Sequence, residues 1–249
     1  MNYHPIYDEI LESLDHDLEI REIRIGASWV ATVLEDGSCG IAAKLYERPT
    51  ASLEDLLGKK RKAHLLGKEL VRDDPFLAVL SLSAVNACLN TTGRVSDFHA
   101  AADQDTCCMR GFDVAGKKVA VIGHMSRTRD QILKELHPEQ VYMFDMDPAR
   151  GDLPVEKEPE LLPECAAVVI TGTTLINHTI GEILQWSGDA VHIFTGPSVP
   201  FLPDFTSVDQ IHGMVLTKTD EFLAWNRSHA GSPLPYSQTF LLKTPFTDE

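Results

Sequence analysis

The sequence predicts an α/β protein in which an amino-terminal α+β unit precedes a doubly wound, mostly parallel sheet. Three observations predict it. In the second half, the short apolar runs Val119–Ile122, Ala166–Ile170 and Ala190–Phe194 alternate with helical patterns and end in small or polar residues, as buried parallel strands do. In the first half, strand-like runs follow one another across a hairpin signal and helices come only afterwards. Between the halves, residues 90–116 are polar, contain glycine and have no clear period, which reads as an interdomain loop between units at 1–105 and 112–249.

In chain order, Ile6, Ile10, Leu11, Leu14 and Leu18 recur at helical intervals, so the first 19 residues read as an amphipathic helix. Ile20–Ala27, Trp29–Leu34 and Gly40–Leu45 read as an antiparallel meander, with Glu35-Asp36-Gly37-Ser38 as the turn. Helices are expected around Leu53, Leu56 and Leu57, over Ala63–Val71, and over Phe76–Leu89 behind the cap Asp73-Asp74-Pro75. Lys117 to Pro148 forms one strand–helix–strand unit, its helix carrying Ile132, Leu133 and Leu136. The Pro-rich and acidic stretch Pro148–Glu164 allows a short helical turn around Glu160–Glu164. Helices are then expected over Leu175–Trp186 and Thr219–Trp225, with Ile211–Leu216 as the last strand.

With 249 residues, 43% of them hydrophobic and 24% charged, the chain has globular composition. Its formal net charge of −15 opposes a nucleic-acid partner and an anionic membrane surface, because both carry the same sign. Residues 1–17 are too acidic for a secretory signal, and no apolar run approaches the roughly 20 residues of a membrane span, so the expected location is cytoplasmic. Five cysteines without a C-x-x-C spacing support neither a disulfide framework nor a zinc knuckle. Cys107-Cys108 is the one pair of adjacent soft donors, with simple packing as the plainer reading.

Parallel sheets place ligands at the carboxyl ends of their strands. Gly123-His124-Met125, Thr171-Gly172-Thr173-Thr174 and Thr195-Gly196-Pro197-Ser198 are expected to share that edge and line one crevice. Thr173 and Thr174 precede a predicted helix, whose free N–H groups can hold a carboxylate or phosphate; helix capping is the alternative. His124, at a strand tip, is placed to act as a ligand or a general acid–base. Asp145 and Asp147 end a second strand, where a carboxylate can bond a ribose hydroxyl or merely close a turn. Gly123 stands alone where a dinucleotide fingerprint needs two more glycines. His99, His212 and His229 are isolated and receive no role.

Val121-Ile122-Gly123-His124, the run from Ile170 to Asn177 and the run from Thr195 to Pro200 together resemble the heavy-metal-chelation family of prokaryotic proteins, a domain of unknown function. The resemblance covers nearly the whole chain. It implies an enolase-amino-terminal-like α+β domain followed by a Rossmann-like domain, with a site in the cleft between them. By motif it points to Gly123, His124, Gly172, Thr173, Thr174, Asn177, Gly196, Pro197 and Ser198. Ser83-Ala84-Val85-Asn86-Ala87 resembles the family's Asn-Ala stretch, which adds Asn86 as a cleft residue. Met125-Ser126 departs from the aromatic and proline that often follow Gly-His in this family.

The resulting expectation is a small-ligand-binding protein that takes part in heavy-metal chelation, or makes or handles a chelator or heterocycle, with a divalent or heavy metal as the candidate cofactor ahead of a nucleotide. His124 would be the ligand or proton carrier. Thr173, Thr174 and Ser198 would hydrogen-bond the ligand, and Asn86 would bridge the domains. The alternatives are a nucleotide- or S-adenosylmethionine-type binder using Asp145 or Asp147, and a non-catalytic module for a metalloenzyme. A homo-oligomer is compatible with each.

Overall fold

The structure, a computed structural model, describes residues 3–14, 17–46, 62–103, 105–148, 151–229 and 234–243. The helix expected around Leu53, Leu56 and Leu57 lies outside these residues. The opening helix α1 (Ile6–Glu12) is shorter than the apolar period suggested, and it buries Ile6, Tyr7 and Ile10. Strands β1 (Ile20–Ile25), β2 (Trp29–Leu34) and β3 (Cys39–Ala43) form the expected antiparallel sheet in the order 1-2-3. Every residue of β2 is buried. Trp29, Ala31 and Val33 face one side of the sheet and Val30 and Leu34 the other, so both faces are covered.

After α2 (Ala63–Gly67) and a 3-10 turn over Lys68–Val71 comes α3 (Pro75–Leu89), capped by the Asp74 carboxylate, which accepts from Leu77 N at 3.0 Å. All its residues from Phe76 to Leu89 are buried, which explains an apolar composition without a polar stripe. Gly40 makes the contact with β3 possible, since a Cβ there would lie 1.9 Å from Ala87 N. Thr32 and Ser83 join their hydroxyls at 2.7 Å across the same contact.

The stretch expected to be irregular contains α4 (Thr92–Asp97) and the two-residue strand β4 (Ala101–Ala102). Cys107, Cys108 and Met109 within it are buried. Helix periodicity is invisible over six residues, and β4 exists only because it pairs with the carboxyl-terminal strand.

The larger sheet adds β5 (Lys118–Ile122), β6 (Gln140–Asp145), β7 (Leu153–Pro154), β8 (Ala167–Thr171), β9 (Val191–Thr195), β10 (Gln210–Leu216) and β11 (Ser237–Lys243). Its order is β4-β11-β10-β9-β8-β5-β6-β7. The run from β10 to β7 is parallel, and β11 is antiparallel to both its neighbours. The fold class is therefore a mixed α/β one, as expected. The last strand is β11 rather than β10, because β10 finds its outer partner across a connection that carries no hairpin signal.

From β5 the chain steps outward to β6 and β7, then returns to the other side of β5 for β8, β9 and β10. The strand order thus reverses between β5 and β8, which opens a crevice at their carboxyl ends. Helix α5 (Ser126–Leu136) follows β5, the short α6 (Glu158–Leu161) follows β7, α7 (Ile180–Ser187) follows β8 and α8 (Thr219–Asn226) follows β10. Alternate residues of β5 divide between two cores: Ala120 and Ile122 join the large one containing α1 and α3, while Val119 and Val121 join Cys107, Cys108 and Ile132.

Candidate functional site

Gly123 ends β5 with φ +96°, a left-handed turn that glycine adopts without strain. Its N–H reaches Phe144 O at 2.7 Å, which sets the tip of β5 beside that of β6. The next N–H, of His124, donates to Asp145 Oδ2 at 2.8 Å, and Asp147 N donates to Asp145 Oδ1 at 2.9 Å. Both Asp145 carboxylate oxygens thus hold backbone, and Asp147 is exposed.

The His124 ring lies against a residue that sequence reasoning passed over. Its Nδ1 donates to Asp152 Oδ2 at 2.6 Å, the carboxylate being 1% exposed and the imidazole 32% exposed. Asp152 Oδ1 has no partner among the described residues. A carboxylate on Nδ1 fixes the tautomer and leaves Nε2 with its lone pair free for a metal or a proton. Asp152 sits immediately before β7 in a stretch without period, so only the β6–β7 pairing brings it to His124.

His124 lines a cavity of about 300 Å³ at the switch point, together with the amino end of α5, Thr171, Gly196 and Pro197. Among the described residues no Asp or Glu lines it, in a chain rich in both. The first residue before α5, Met125, offers no side-chain cap, so the N–H groups of the first helical turn remain available. Trp29 reaches the cavity from β2, and its Nε1–H is buried without a partner among the described residues. His212, on β10, shares a hydrogen bond of 3.2 Å with Thr195 Oγ1, and its Nε2 is buried and unpartnered. Burial pushes the His212 pKa down to about 4, so the ring is neutral near pH 7. Sequence spacing gave no signal for Trp29 or His212.

Cys108 also lines this cavity, and Cys107 packs beside it. A hydrogen bond between the thiols lowers the Cys107 pKa to about 7 and, with burial, raises that of Cys108. Among the described residues, no group of three or more His, Cys, Asp or Glu is arranged to hold a metal ion.

The other predicted residues fall into two sets. Asn86, Gly172 and Ser198 line neither this cavity nor its neighbour. Fully buried Asn86 donates to Ile41 O at 2.7 Å and to Ser198 O at 3.1 Å, bridging β3 to the loop after β9. Ser198 Oγ accepts from Ala43 N at 3.0 Å. A Cβ on Gly172 would stand 2.7 Å from the Ser198 carbonyl carbon, so the two loops are in backbone contact. Asn90, one helical turn after Asn86, holds Val199 O, Met214 O and Phe201 N.

Gly123, Asp145, Thr173, Thr174 and Asn177 line a second cavity of about 390 Å³, which shares Thr171 with the first. The expected helix start at Leu175 is corrected here. Gly172–Leu175 is a 3-10 turn, His178 takes φ +62°, and α7 begins at Ile180. Thr174 Oγ1 donates to Thr171 O at 2.8 Å and Asn177 Oδ1 accepts from Thr179 Oγ1 at 2.8 Å. The threonines therefore do not cap an α-helix.

Two family models match the chain, over residues 112–232 and 7–89, and both are described as "Putative heavy-metal chelation". The chain belongs to this heavy-metal-chelation family. A crystal structure of a family member of unknown function from Desulfitobacterium hafniense DCB-2 superimposes with a TM-score of 0.81 at 19% identity, covering 96% of this chain and 97% of that one. Another, from Pyrococcus horikoshii, gives 0.72 at 21% identity, with 96% and 98% covered. At such identities the likeness concerns the fold. An uncharacterized protein from Methanocaldococcus jannaschii is 36% identical over 92 residues, a match spanning 35% of each chain and so about a third of that relative's length. No helix among the described residues is long and apolar enough to cross a membrane.

Proposed function

We propose that this member of the heavy-metal-chelation family binds a small anionic chelator, its metal chelate or a heterocyclic precursor of one in the cavity beside His124. His124 Nε2 then completes the coordination of the bound metal or carries a proton to or from the ligand. The observation that carries this reading is an Asp152-oriented imidazole on a cavity that no Asp or Glu among the described residues lines, within a chain of net charge −15. Anionic groups suit the first turn of α5 and the Trp29 N–H. Among the described residues, the imidazole and thiol donors lining this cavity are one oriented imidazole, the neutral His212 ring and the thiol of Cys108. They fit a metal that arrives with most of its ligands already supplied by an organic chelator, and that metal is cargo.

In this reading Thr173, Thr174, Asn177 and Gly123 shape the neighbouring wall, Gly196 and Pro197 close the first cavity, and Asn86 and Ser198 hold the walls in place. The division at residues 1–105 and 112–249 makes the cavity an interdomain one, with Trp29 contributed by the first unit.

The experiment is a thermal-shift panel on untagged, metal-stripped protein with divalent metals, anionic heterocycles and adenine nucleotides added singly and in metal–heterocycle pairs. A ligand at about 100 times its Kd stabilises by about 2.7 kcal/mol, a shift of a few degrees. A shift with a metal–heterocycle pair that is lost in His124→Ala is the expected result, and an equal shift in the variant overturns the role of His124. The strand-order reversal and uncapped α5 also favour a second reading, a nucleotide or S-adenosylmethionine binder. It predicts a nucleotide-only shift that Asp145→Ala or Asp147→Ala abolishes. Full complementation by His124→Ala in cells would instead favour a non-catalytic module serving a metalloenzyme.

A further inference from the structure

The second cavity has the opposite chemistry from the first. Asp145, Glu156, Glu158 and Glu182 line it, and among the described residues no Lys, Arg or His does. Its remaining wall is largely apolar, with Phe144 and Trp186 as aromatic faces beside Leu45, Ile122 and Val155. Asp145 is already committed to backbone N–H groups, but the Glu158 carboxylate has no partner among the described residues. Glu158 is 4% exposed, borders the cavity, and its side chain forms no hydrogen bond or ion pair among the described residues. A carboxylate so withdrawn from water is stable as an anion only when a cation or donors reach it. Burial, with Glu182 and Glu156 nearby, pushes its pKa up to about 7, so it carries a proton much of the time when nothing compensates it.

We propose that this cavity binds a protonated organic amine with an apolar body, its ammonium on Glu158 and Glu182 and its body against Trp186 and Phe144. A bare metal ion fits less well, because among the described residues no three acidic, thiol or imidazole groups converge within ligand distance. An ammonium carried on several carbon atoms suits carboxylates distributed around a wall with aromatic faces, where hydrogen bonds, cation–π attraction and apolar contact act together. The two cavities meet at Thr171, so an amine would lie next to the anionic ligand without sharing its charged partners.

Isothermal titration with phenethylamine and tryptamine tests this, with 3-phenylpropionate and indole-3-acetate as bodies of matching shape and opposite charge, and magnesium chloride alone as the metal control. The amines should bind and the carboxylates should not. Glu158→Gln should weaken the amines by about tenfold or more, since the ammonium–carboxylate ion pair is replaced by a hydrogen bond to a neutral amide. Glu182→Gln, altered at an exposed side chain, is the second variant should Glu158→Gln fold poorly. His124→Ala should leave amine binding unchanged, which separates this proposal from the fate of the first cavity. Carboxylates binding as tightly as amines, amine binding undiminished in both glutamine variants, heat from magnesium alone that Glu158→Gln abolishes, or no heat with either amine would each overturn it.

Discussion

At the scale of single residues, the His124–Asp152 pair makes the sharpest prediction. Asp152→Asn keeps the volume but replaces the carboxylate that fixes the imidazole tautomer. Removing such a partner should weaken binding of a metal chelate by about 10–100-fold, read by titration against wild type with folding checked by circular dichroism. Asn86 makes the contrasting prediction, on stability alone. Losing its bonds to Ile41 O and Ser198 O in Asn86→Ala leaves two buried carbonyls unpaired and should cost about 2–4 kcal/mol in urea unfolding. His124 was legible as a functional candidate because it stands at a strand tip. Its partner was not, since Asp152 follows 28 residues later in a segment whose pattern declares nothing.

At the scale of elements, two glycines carry contacts that no larger residue allows. Gly40→Ala would drive a methyl group to 1.9 Å from Ala87 N on the buried α3, and Gly172→Ala would do so at 2.7 Å from the Ser198 backbone. Each neighbour is backbone and cannot rotate away, so each variant should lose about 2–4 kcal/mol of stability, with Gly40→Ala the worse of the two. Strands β5, β6, β8 and β9 were readable because parallel strands buried on both faces are apolar runs. Helix α3 was readable by length and its Asp-Pro start. The late start of α7 was not, because Leu175, Ile176 and Ile180 fit a helical period whether or not His178 turns left-handed between them. Strand β11 escaped because its partner lies across a connection with no turn signal.

At the scale of the whole molecule, buried groups at the two cavities pull stability in opposite directions with pH. Glu158 titrates at about 7 when folded against 4.5 ordinarily, so the folded state holds the extra proton and stability falls as pH rises across that window. His212 titrates at about 4 against 6.5, so the unfolded state takes up the proton and stability falls as pH drops from 6.5 towards 4. Each slope is at most about 1.4 kcal/mol per pH unit. Glu158→Gln should therefore raise the urea midpoint at about pH 8 and change it little at about pH 4. His212→Gln should flatten the acid limb.

The sequence by itself determined the parallel sheet, the antiparallel meander before it and the edge where the loops after β5, β8 and β9 gather, because burial on both faces and small residues at strand tips leave local patterns. Only the tertiary structure decided that two cavities lie at that edge, one lined by four carboxylates and one by none among the described residues. It also decided that Asn86 and Ser198 clamp the fold, and that Asp152, Trp29 and His212 join His124. Those relations are fixed by strand order and by backbone contacts between residues remote along the chain, and no local periodicity encodes them.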